Sequence, residues 1–206
     1  MKVIPMELGL LGANCYILYC DESHKAAVID PGGEGHRIID EIEARGLRAQ
    51  YILLTHGHFD HIGAVKFLKE NLTASVAIHQ DDADCLTDIH KNLSFSMGMD
   101  SIQIPPDILL QDNDSFNIGN ITVEVIHTPG HSTGSICYSV PGAVFTGDTL
   151  FQGSVGRTDF PGGSYNKLIS SIKNKLLVLD DHCTVYPGHG PKSSIGREKL
   201  SNPFLL

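Results

Sequence analysis

The sequence predicts one domain of the α/β or α+β class over residues 1–206, with sheets covered by helices. Strand-like and helix-like segments are mixed in both halves of the chain, as expected for such layered folds. Apolar residues make up 41% and charged residues 19% of the 206 residues, which is typical of a globular protein. A chain of this length and composition buries an ordinary core, and collagen, coiled coil and intrinsic disorder are excluded.

In the first half, short β-rich runs alternate with segments of helical periodicity. Ile38, Ile39 and Ile42 recur at helical spacing, and Gly46 follows as a stop signal. The predicted strands are residues 14–20, 25–30, 50–54 and 74–78, and the predicted helices are 35–45, 62–71 and 81–90. Residues 93–107 are predicted to be irregular, with Pro105 and Pro106 near their end.

The second half repeats this pattern. Residues 121–126 alternate and are β-branched, and each predicted strand is followed by a turn rich in glycine or proline. The predicted strands are 121–126, 135–140, 143–146 and 184–186, and one helix is predicted at 167–177.

Charge and cysteine content narrow the class of protein. The net charge is −9 with histidine neutral, which argues against nucleic acid as a partner. The five cysteines are odd in number and contain no C-x-x-C pair, so a reducing compartment is expected rather than a disulfide framework. No apolar run approaches the roughly 20 residues that span a bilayer. We therefore expect a soluble, cytoplasmic protein, monomeric or homodimeric.

The strongest chemical signal is the segment Thr55-His56-Gly57-His58-Phe59-Asp60-His61, which follows an apolar strand. In an extended segment, His56 and His58 point to the same side. Asp60 and His61 lie where the chain turns into the next helix. Imidazole and carboxylate donors of this kind suit a divalent transition metal, or two adjacent metals if further ligands contribute.

Three further donors follow predicted strands in the second half: His131, Asp148 and His189, each preceded by glycine. Glycine permits a close approach of the backbone to a crowded site. A single Gly-His pair is more often a turn, but the combination with residues 55–61 indicates a metal centre.

The residues just described resemble those of the metallo-β-lactamase fold superfamily, and within it the glyoxalase II-like hydrolases. The resemblance runs from Asp30-Pro31-Gly32 to Asn202-Pro203-Phe204. The stretches at 146–151 (TGDTLF) and 156–160 (GRTDF) are similar to the short, single-domain glyoxalase II-like members and, to a similar degree, to the persulfide dioxygenases. The resemblance implies a four-layer αββα sandwich, with two mixed sheets packed face to face, helices outside and a metal site at one edge.

The resemblance also implies a ligand set. Metal one would be bound by His56, His58 and His131, metal two by Asp60, His61 and His189, and Asp148 would bridge them. Two divalent ions are expected, zinc in the first place, with iron or a zinc–iron pair as alternatives. Asp148 stands where many true β-lactamases have cysteine, which disfavours a lactamase.

The expected reaction is hydrolysis of a small, anionic thioester such as a hydroxyacylglutathione. Two adjacent cations lower the pKa of a shared water, and the resulting bridging hydroxide attacks the carbonyl carbon. Asp60 is expected to orient the hydroxide and shuttle its proton. The alternative is a mononuclear iron persulfide dioxygenase, for which the resemblance implies iron bound by His56, His131 and Asp148 alone.

Three residues outside the ligand set are candidates for supporting roles. Arg157 matches a basic glutathione-binding position of glyoxalase II proteins, and pairing with Asp159 is the structural alternative. Tyr165 is a candidate for lining the substrate cleft, together with residues 93–99. Asp30 is expected either to orient a ligand histidine or to begin the Pro-Gly turn that follows it.

Overall fold

The computed structural model describes residues 1–99 and 103–206 and contains two six-stranded mixed sheets. The first sheet is ordered as in the chain: β1 (Lys2–Leu8), β2 (Ala13–Tyr19), β3 (Lys25–Ile29), β4 (Arg48–Leu53), β5 (Ser75–His79) and β6 (Ile108–Leu110). The strands from β1 to β3 pair antiparallel, and those from β3 to β6 pair parallel.

The second sheet is built mainly by the second half of the chain. It contains β7 (Ser115–Ile118), β8 (Ile121–His127), β9 (Ile136–Val140), β10 (Ala143–Gly147), β13 (Thr184–Pro187) and β14 (Ser193–Ser194), in the spatial order β14-β13-β10-β9-β8-β7. All neighbours pair antiparallel except β10 and β13. A hairpin of β11 (Leu150–Phe151) and β12 (Ser154–Val155) lies between β10 and β13 in the chain.

The two sheets pack face to face. Alternate side chains along the strands of the first sheet are apolar on both of its faces. In β2, Tyr16 and Leu18 point into the core between the sheets, whereas Cys15 and Ile17 point to the outer face. From the second sheet, Val125, Tyr138 and Phe145 enter the same central core. Because both faces of β2 are buried, its sequence is nearly continuously apolar.

Helices cover the outer face of each sheet, which confirms the predicted αββα sandwich. The first sheet carries α1 (Gly35–Ala44), α2 (Phe59–Ile62) and α3 (Val65–Asn71), and the second carries α4 (Tyr165–Ser171) and α5 (Ile195–Ser201). A π-helical turn (Ile172–Leu176) continues α4, so that Leu168, Ile172 and Leu176 face the second sheet. In the described part of the chain, no helix has the length and apolar character needed to cross a bilayer.

Two predicted helices differ from the structure. The helix predicted at 62–71 is split into α2 and α3 near Gly63, where a β-carbon would lie 2.3 Å from the carbonyl oxygen of Gly32. The helix predicted at 81–90 is replaced by a 3₁₀ helix (Gln80–Leu86) followed by turns. Of the segment predicted to be irregular, a 3₁₀ turn forms at Phe95–Met97, and residues 100–102 lie outside the described residues.

Candidate metal centre

All seven side chains predicted to bind metal lie at one edge of the sandwich, where strands of both sheets end. His56 and His58 follow β4, and Asp60 and His61 belong to α2 directly afterwards. The remaining three follow strands of the second sheet: His131 after β8, Asp148 after β10 and His189 after β13. The close packing of the two sheets therefore brings together residues that are far apart in sequence.

The first cluster consists of His56, His58 and His131, which are buried and have ligand atoms within 4.8 Å of one another. Nδ1 of His58 lies 2.9 Å from Nε2 of His131. The ring centroid of His56 lies 4.7 Å from that of His58 and 4.8 Å from that of His131. Three imidazoles converging in this way suit a divalent ion such as zinc.

The second cluster consists of Asp60, His61 and His189, whose ligand atoms also lie within 4.8 Å of one another. Oδ2 of Asp60 is 3.2 Å from Nε2 of His189 and 3.6 Å from Nε2 of His61. This is a two-histidine, one-carboxylate donor set.

Asp148 lies between the two clusters. Its Oδ1 is 3.4 Å from Nε2 of His61, and its Oδ2 is 3.6 Å from Nε2 of His131. Oδ2 also lies 3.8 Å from Nε2 of His189. One carboxylate therefore faces donors of both clusters, as a residue shared by two ions must.

Unsatisfied buried atoms test whether this cluster fits metal ions. Over residues 1–99 and 103–206, the buried side-chain nitrogen or oxygen atoms without a hydrogen-bond partner are Nε2 of His56, Nε2 of His61, Oδ1 of Asp148 and Oε1 of Gln50. Buried polar atoms are normally paired, so a concentration of unpaired ones requires an explanation. Three of these atoms point into the candidate centre, and a divalent cation at each of the two clusters would give all three a partner.

Hydrogen bonds on the far side of the rings fix which nitrogen faces the centre. Nδ1 of His131 lies 2.8 Å from the carbonyl oxygen of Arg157, which can only accept, so Nδ1 carries the proton. Nδ1 of His61 lies 3.1 Å from Oδ2 of Asp30 and donates to that carboxylate. In both rings Nε2 therefore faces the centre, the arrangement typical of metal-binding histidines. Burial opposes a charge on His61, but Asp60 and Asp148 raise its pKa well above the usual value, so its Nε2 carries a proton that a metal ion would replace.

Asp30 also reaches the first cluster. It accepts from the backbone nitrogen of Thr55 at 2.7 Å and from the Thr55 hydroxyl at 2.6 Å, and Oγ1 of Thr55 lies 3.1 Å from Nδ1 of His56. Since the hydroxyl donates to Asp30, its oxygen accepts from His56. Of the two roles considered for Asp30, the contacts therefore support the one in which it orients the candidate ligand histidines. Asp30 is buried, and its φ is +50°.

Burial and neighbouring charges set the protonation of these groups. Burial, with His131 nearby, lowers the pKa of His58 to about 3, and burial and His61 lower the pKa of His56 well below its usual range. Burial raises the pKa of Asp148, but the positive charge of His61 outweighs it and holds that pKa below its ordinary value. His56 and His58 are therefore neutral and Asp148 ionised at neutral pH, the forms that bind metal.

Two of the glycines that precede candidate ligands are required by close contacts. A β-carbon on Gly147 would lie 2.2 Å from Oγ1 of Thr55, and Gly147 has φ +46°. A β-carbon on Gly188 would lie 2.3 Å from Oδ1 of Asp148 and 2.7 Å from Cε1 of His61. These contacts give a physical reason for glycine before Asp148 and His189.

A buried carboxylate that sequence reasoning missed joins the two loops of the first cluster. Asp82, in the 3₁₀ helix, accepts from the backbone nitrogen of Gly57 at 3.1 Å and from Gly134 at 2.7 Å. It also accepts from the hydroxyl of Ser132 at 2.6 Å. The sequence around it, Gln80-Asp81-Asp82-Ala83-Asp84, offers no signal that singles out the middle carboxylate.

A cavity of about 540 Å³ opens beside the cluster. His58, Asp60, His131, Asp148 and His189 form its polar part. Its volume lies within the range of small-molecule sites.

The two residues predicted to bind substrate occupy different places. Arg157 lines the cavity. Its guanidinium forms the alternative pairing with Asp159, donating to Oδ1 and Oδ2 at 2.7 and 2.6 Å. Its carbon Cζ lies 4.0 Å from the centre of the Phe160 ring. Tyr165 is half exposed at the start of α4, apart from the residues that line the cavity in the described chain. From residues 93–99, Leu93, Ser96 and Met97 line it.

Comparison with known proteins places this geometry in a family. Residues 8–189 match the family model described as the metallo-beta-lactamase superfamily. The chain belongs to the metallo-beta-lactamase superfamily. Within that superfamily it is a metallo-hydrolase, and its clusters of histidine and aspartate indicate divalent metal ions.

Two curated members of the superfamily match over the whole chain. "Probable metallo-hydrolase YqgX" of Bacillus subtilis is 43% identical, covering 100% of this chain and 98% of its own. "Hydroxyacylglutathione hydrolase GloC" of Haemophilus influenzae is 40% identical, covering 100% of this chain and 97% of its own.

Solved structures of the superfamily share the fold. The B3 metallo-beta-lactamase BLEG-1 has a TM-score of 0.95 at 40% identity, with 99% of both chains covered. TTHA1623 in a di-iron-bound form has a TM-score of 0.87 at 36% identity, covering 98% of this chain and all of its own. ETHE1 from Myxococcus xanthus has a TM-score of 0.82 at 29% identity, covering 98% of this chain and 84% of its own.

Proposed function

We propose that the protein hydrolyses small thioesters at a centre of two divalent ions, zinc in the first place. His56, His58 and His131 would hold one ion, Asp60, His61 and His189 would hold the other, and Asp148 would be shared by the two. The observation that supports this proposal is the position of Asp148, whose carboxylate lies 3.6 Å from His131 of the first cluster and 3.4 and 3.8 Å from His61 and His189 of the second. The relative GloC, named a hydroxyacylglutathione hydrolase, supports the thioester as substrate.

When bound, two such ions supply Lewis acidity and lower the pKa of water. The residues of the chain then position the reactants. Asp60 lines the cavity. Burial raises its pKa, but the nearby positive charge of His61 and the hydrogen bond from His189 together lower the pKa below its ordinary value, so the carboxylate is ionised. We assign to Asp60 the orientation of the attacking water and acceptance of its proton.

Arg157 is the residue proposed to bind an anionic group of the substrate. Its guanidinium lies at the cavity and is exposed, so a carboxylate of the substrate can share it with Asp159 or replace that partner. Tyr165 lies farther away, and a role for it requires a substrate that extends past the cavity lining.

A persulfide dioxygenase with one iron is the second candidate, supported by the resemblance of residues 146–151 and 156–160 to that group of enzymes. His56, His131 and Asp148, the set that this reading requires, are present and face one another. With a single iron, His58, Asp60, His61 and His189 would bind no metal. The buried Nε2 of His61 would then have no partner.

Two assays on one preparation of known metal content separate these functions: thioester hydrolysis, and oxygen uptake with a thiol persulfide. The proposal predicts two divalent ions per chain, hydrolysis and no oxygen uptake. One iron per chain with oxygen uptake would overturn it. The Asp148→Ala variant is expected to lose both ions and all hydrolysis, and activity that survives this change would disprove the shared role of Asp148.

A further inference from the structure

Away from the histidines and aspartates, the walls of the cavity are apolar except for Ser96 and Arg157. Leu11 comes from the turn between β1 and β2, Leu93 and Met97 come from the segment before residue 100, and Phe151 and Val155 come from the β11–β12 hairpin. Three segments distant in sequence therefore contribute carbon surface to one site.

Two of the apolar rings stand directly beside the candidate ligands. The Phe160 ring centroid lies 5.7 Å from that of His58, at an interplanar angle of 78°. The Phe151 ring centroid lies 6.3 Å from that of His189, at 84°. Apolar surface thus begins next to the atoms where a carbonyl group would react.

The cavity offers little for a substrate with several charges. Apart from the proposed metal ligands, Arg157 is the one charged residue lining the cavity in the described part of the chain. Its guanidinium is already bonded twice to Asp159 and covers the face of Phe160. A thiol carrier with two carboxylates would leave at least one of them without a cationic partner.

The apolar side chains at the cavity mouth are exposed to water. Leu11 is 48% exposed and Met97 is 50% exposed. Clustered exposed apolar side chains are uncommon on soluble proteins and mark binding surfaces. A ligand that covers them gains about 0.8 kcal/mol, or about a fourfold increase in affinity, for each buried methylene.

We infer that the substrate is a thioester with an aliphatic acyl chain of medium length and at most one anionic group, which rests on the function proposed above. The single cationic partner, Arg157, takes the thiol portion, so the acyl chain lies along Leu11, Leu93 and Met97. In the reaction, the oxygen of water bonds to the acyl carbon, the carbon–sulfur bond breaks, and the products are a carboxylic acid and a thiol.

A series of thioesters tests this inference. Acetyl, butanoyl, hexanoyl and octanoyl esters of N-acetylcysteamine, a neutral thiol, are compared with the same acyl esters of glutathione. We expect kcat/KM to rise about fourfold per methylene until the cavity is full, and the two thiols to differ less than tenfold. A rate independent of acyl length, or glutathione esters more than 100-fold faster, would overturn it.

Two matched methionine variants locate the effect. The Met97→Ser variant removes apolar surface from the cavity and is expected to lower the octanoyl-to-acetyl ratio of kcat/KM at least tenfold. Met99→Ser is the control, because Met99 is also partly exposed but does not line this cavity. Equal ratios in both variants and the parent protein would contradict the assignment of the acyl chain.

Binding separates this inference from the proposed hydrolysis. Ketone analogues with a methylene between carbonyl and sulfur cannot be hydrolysed, and calorimetry gives their Kd. Affinity that rises with acyl length supports the acyl-chain site along Leu11, Leu93 and Met97 even if no thioester is cleaved, a result that would refute only the proposed hydrolysis. Affinity that does not change with acyl length would overturn the inference whatever the activity.

Discussion

Asp30 accepts a hydrogen bond from Nδ1 of His61, 3.1 Å away, and through Thr55 the same carboxylate also orients His56. It therefore supports one histidine of each cluster. This connection joins the end of β3 to the end of β4 beneath both proposed ion positions.

We predict that Asp30→Asn weakens metal binding about 10–100-fold, as is usual for loss of a carboxylate behind a ligand histidine. Asparagine tolerates the positive φ of this position, so the change tests the charge rather than the backbone. Competition with a chelator measures the affinity. Asp40→Asn, on the exposed side of α1, is the control, and equal affinities in the two variants would refute the role of Asp30.

Gly188→Ala is predicted to remove metal and activity without unfolding the protein. The new β-carbon would lie within 2.3 Å of Oδ1 of Asp148, so that carboxylate must move. Gly142→Ala is the matched control, because no atom lies within 4 Å of its β-carbon and only its φ of +77° is strained. The control should lose about 1–2 kcal/mol of stability, the cost of a β-carbon in the left-handed region, and keep its metal. Full metal content in Gly188→Ala would show that Asp148 is not needed where it lies.

Asp82→Ala is predicted to lower the free energy of unfolding by about 2–4 kcal/mol, measured with urea. The substitution leaves the backbone nitrogens of Gly57 and Gly134 buried without their acceptor, and each such loss costs about 1–3 kcal/mol. Asp84→Ala, in the same 3₁₀ helix, removes an exposed ion pair with Lys91 and should cost no more than about 1 kcal/mol. Similar losses in both variants would contradict the buried network.

The stability of the protein should fall as the pH drops below about 6.5, in part through His79. Burial and the stacked His127 ring, 4.1 Å away, lower the pKa of His79 despite the nearby Asp81, Asp82 and Asp112. In the unfolded chain this histidine takes up a proton near pH 6.5. The folded chain does so only at lower pH, so acid favours unfolding.

His79→Gln removes this effect, and we expect a shallower loss of unfolding free energy between pH 7 and pH 5. His182→Gln, at an exposed position before β13, should retain the slope of the parent protein. A slope that is unchanged in His79→Gln would show that its protonation does not affect stability.

Most of the fold and the proximity of the candidate ligands could be predicted because strong local patterns specify them. Alternating apolar and polar residues and β-branched side chains predict β8, and the histidine-rich segment after β4 predicts the metal centre. The break at Gly63 and Ala64 could not be predicted, because the backbone nitrogen of Ala64 donates to the carbonyl oxygen of Pro31 at 2.9 Å, a partner distant in sequence. The strands β6 and β14 escaped prediction because two or three residues carry no clear periodicity.

The supporting residues were harder to predict than the ligands. Asp30 precedes Pro-Gly, so the sequence predicts equally well that it begins a turn and that it orients a ligand histidine. Asp82 lies among other aspartates, and its burial decides its role. The local residues predict which side chains can bind a metal, whereas the contacts that hold them in place depend on the tertiary structure.

The central claim is that two ions lie in this centre and share Asp148. Crystals of the protein as purified, measured with X-rays on both sides of the zinc and iron absorption edges, test it most directly. The account predicts two anomalous peaks, one among His56, His58 and His131 and one among Asp60, His61 and His189, both in contact with Asp148. A single iron peak held by His56, His131 and Asp148 alone would contradict it.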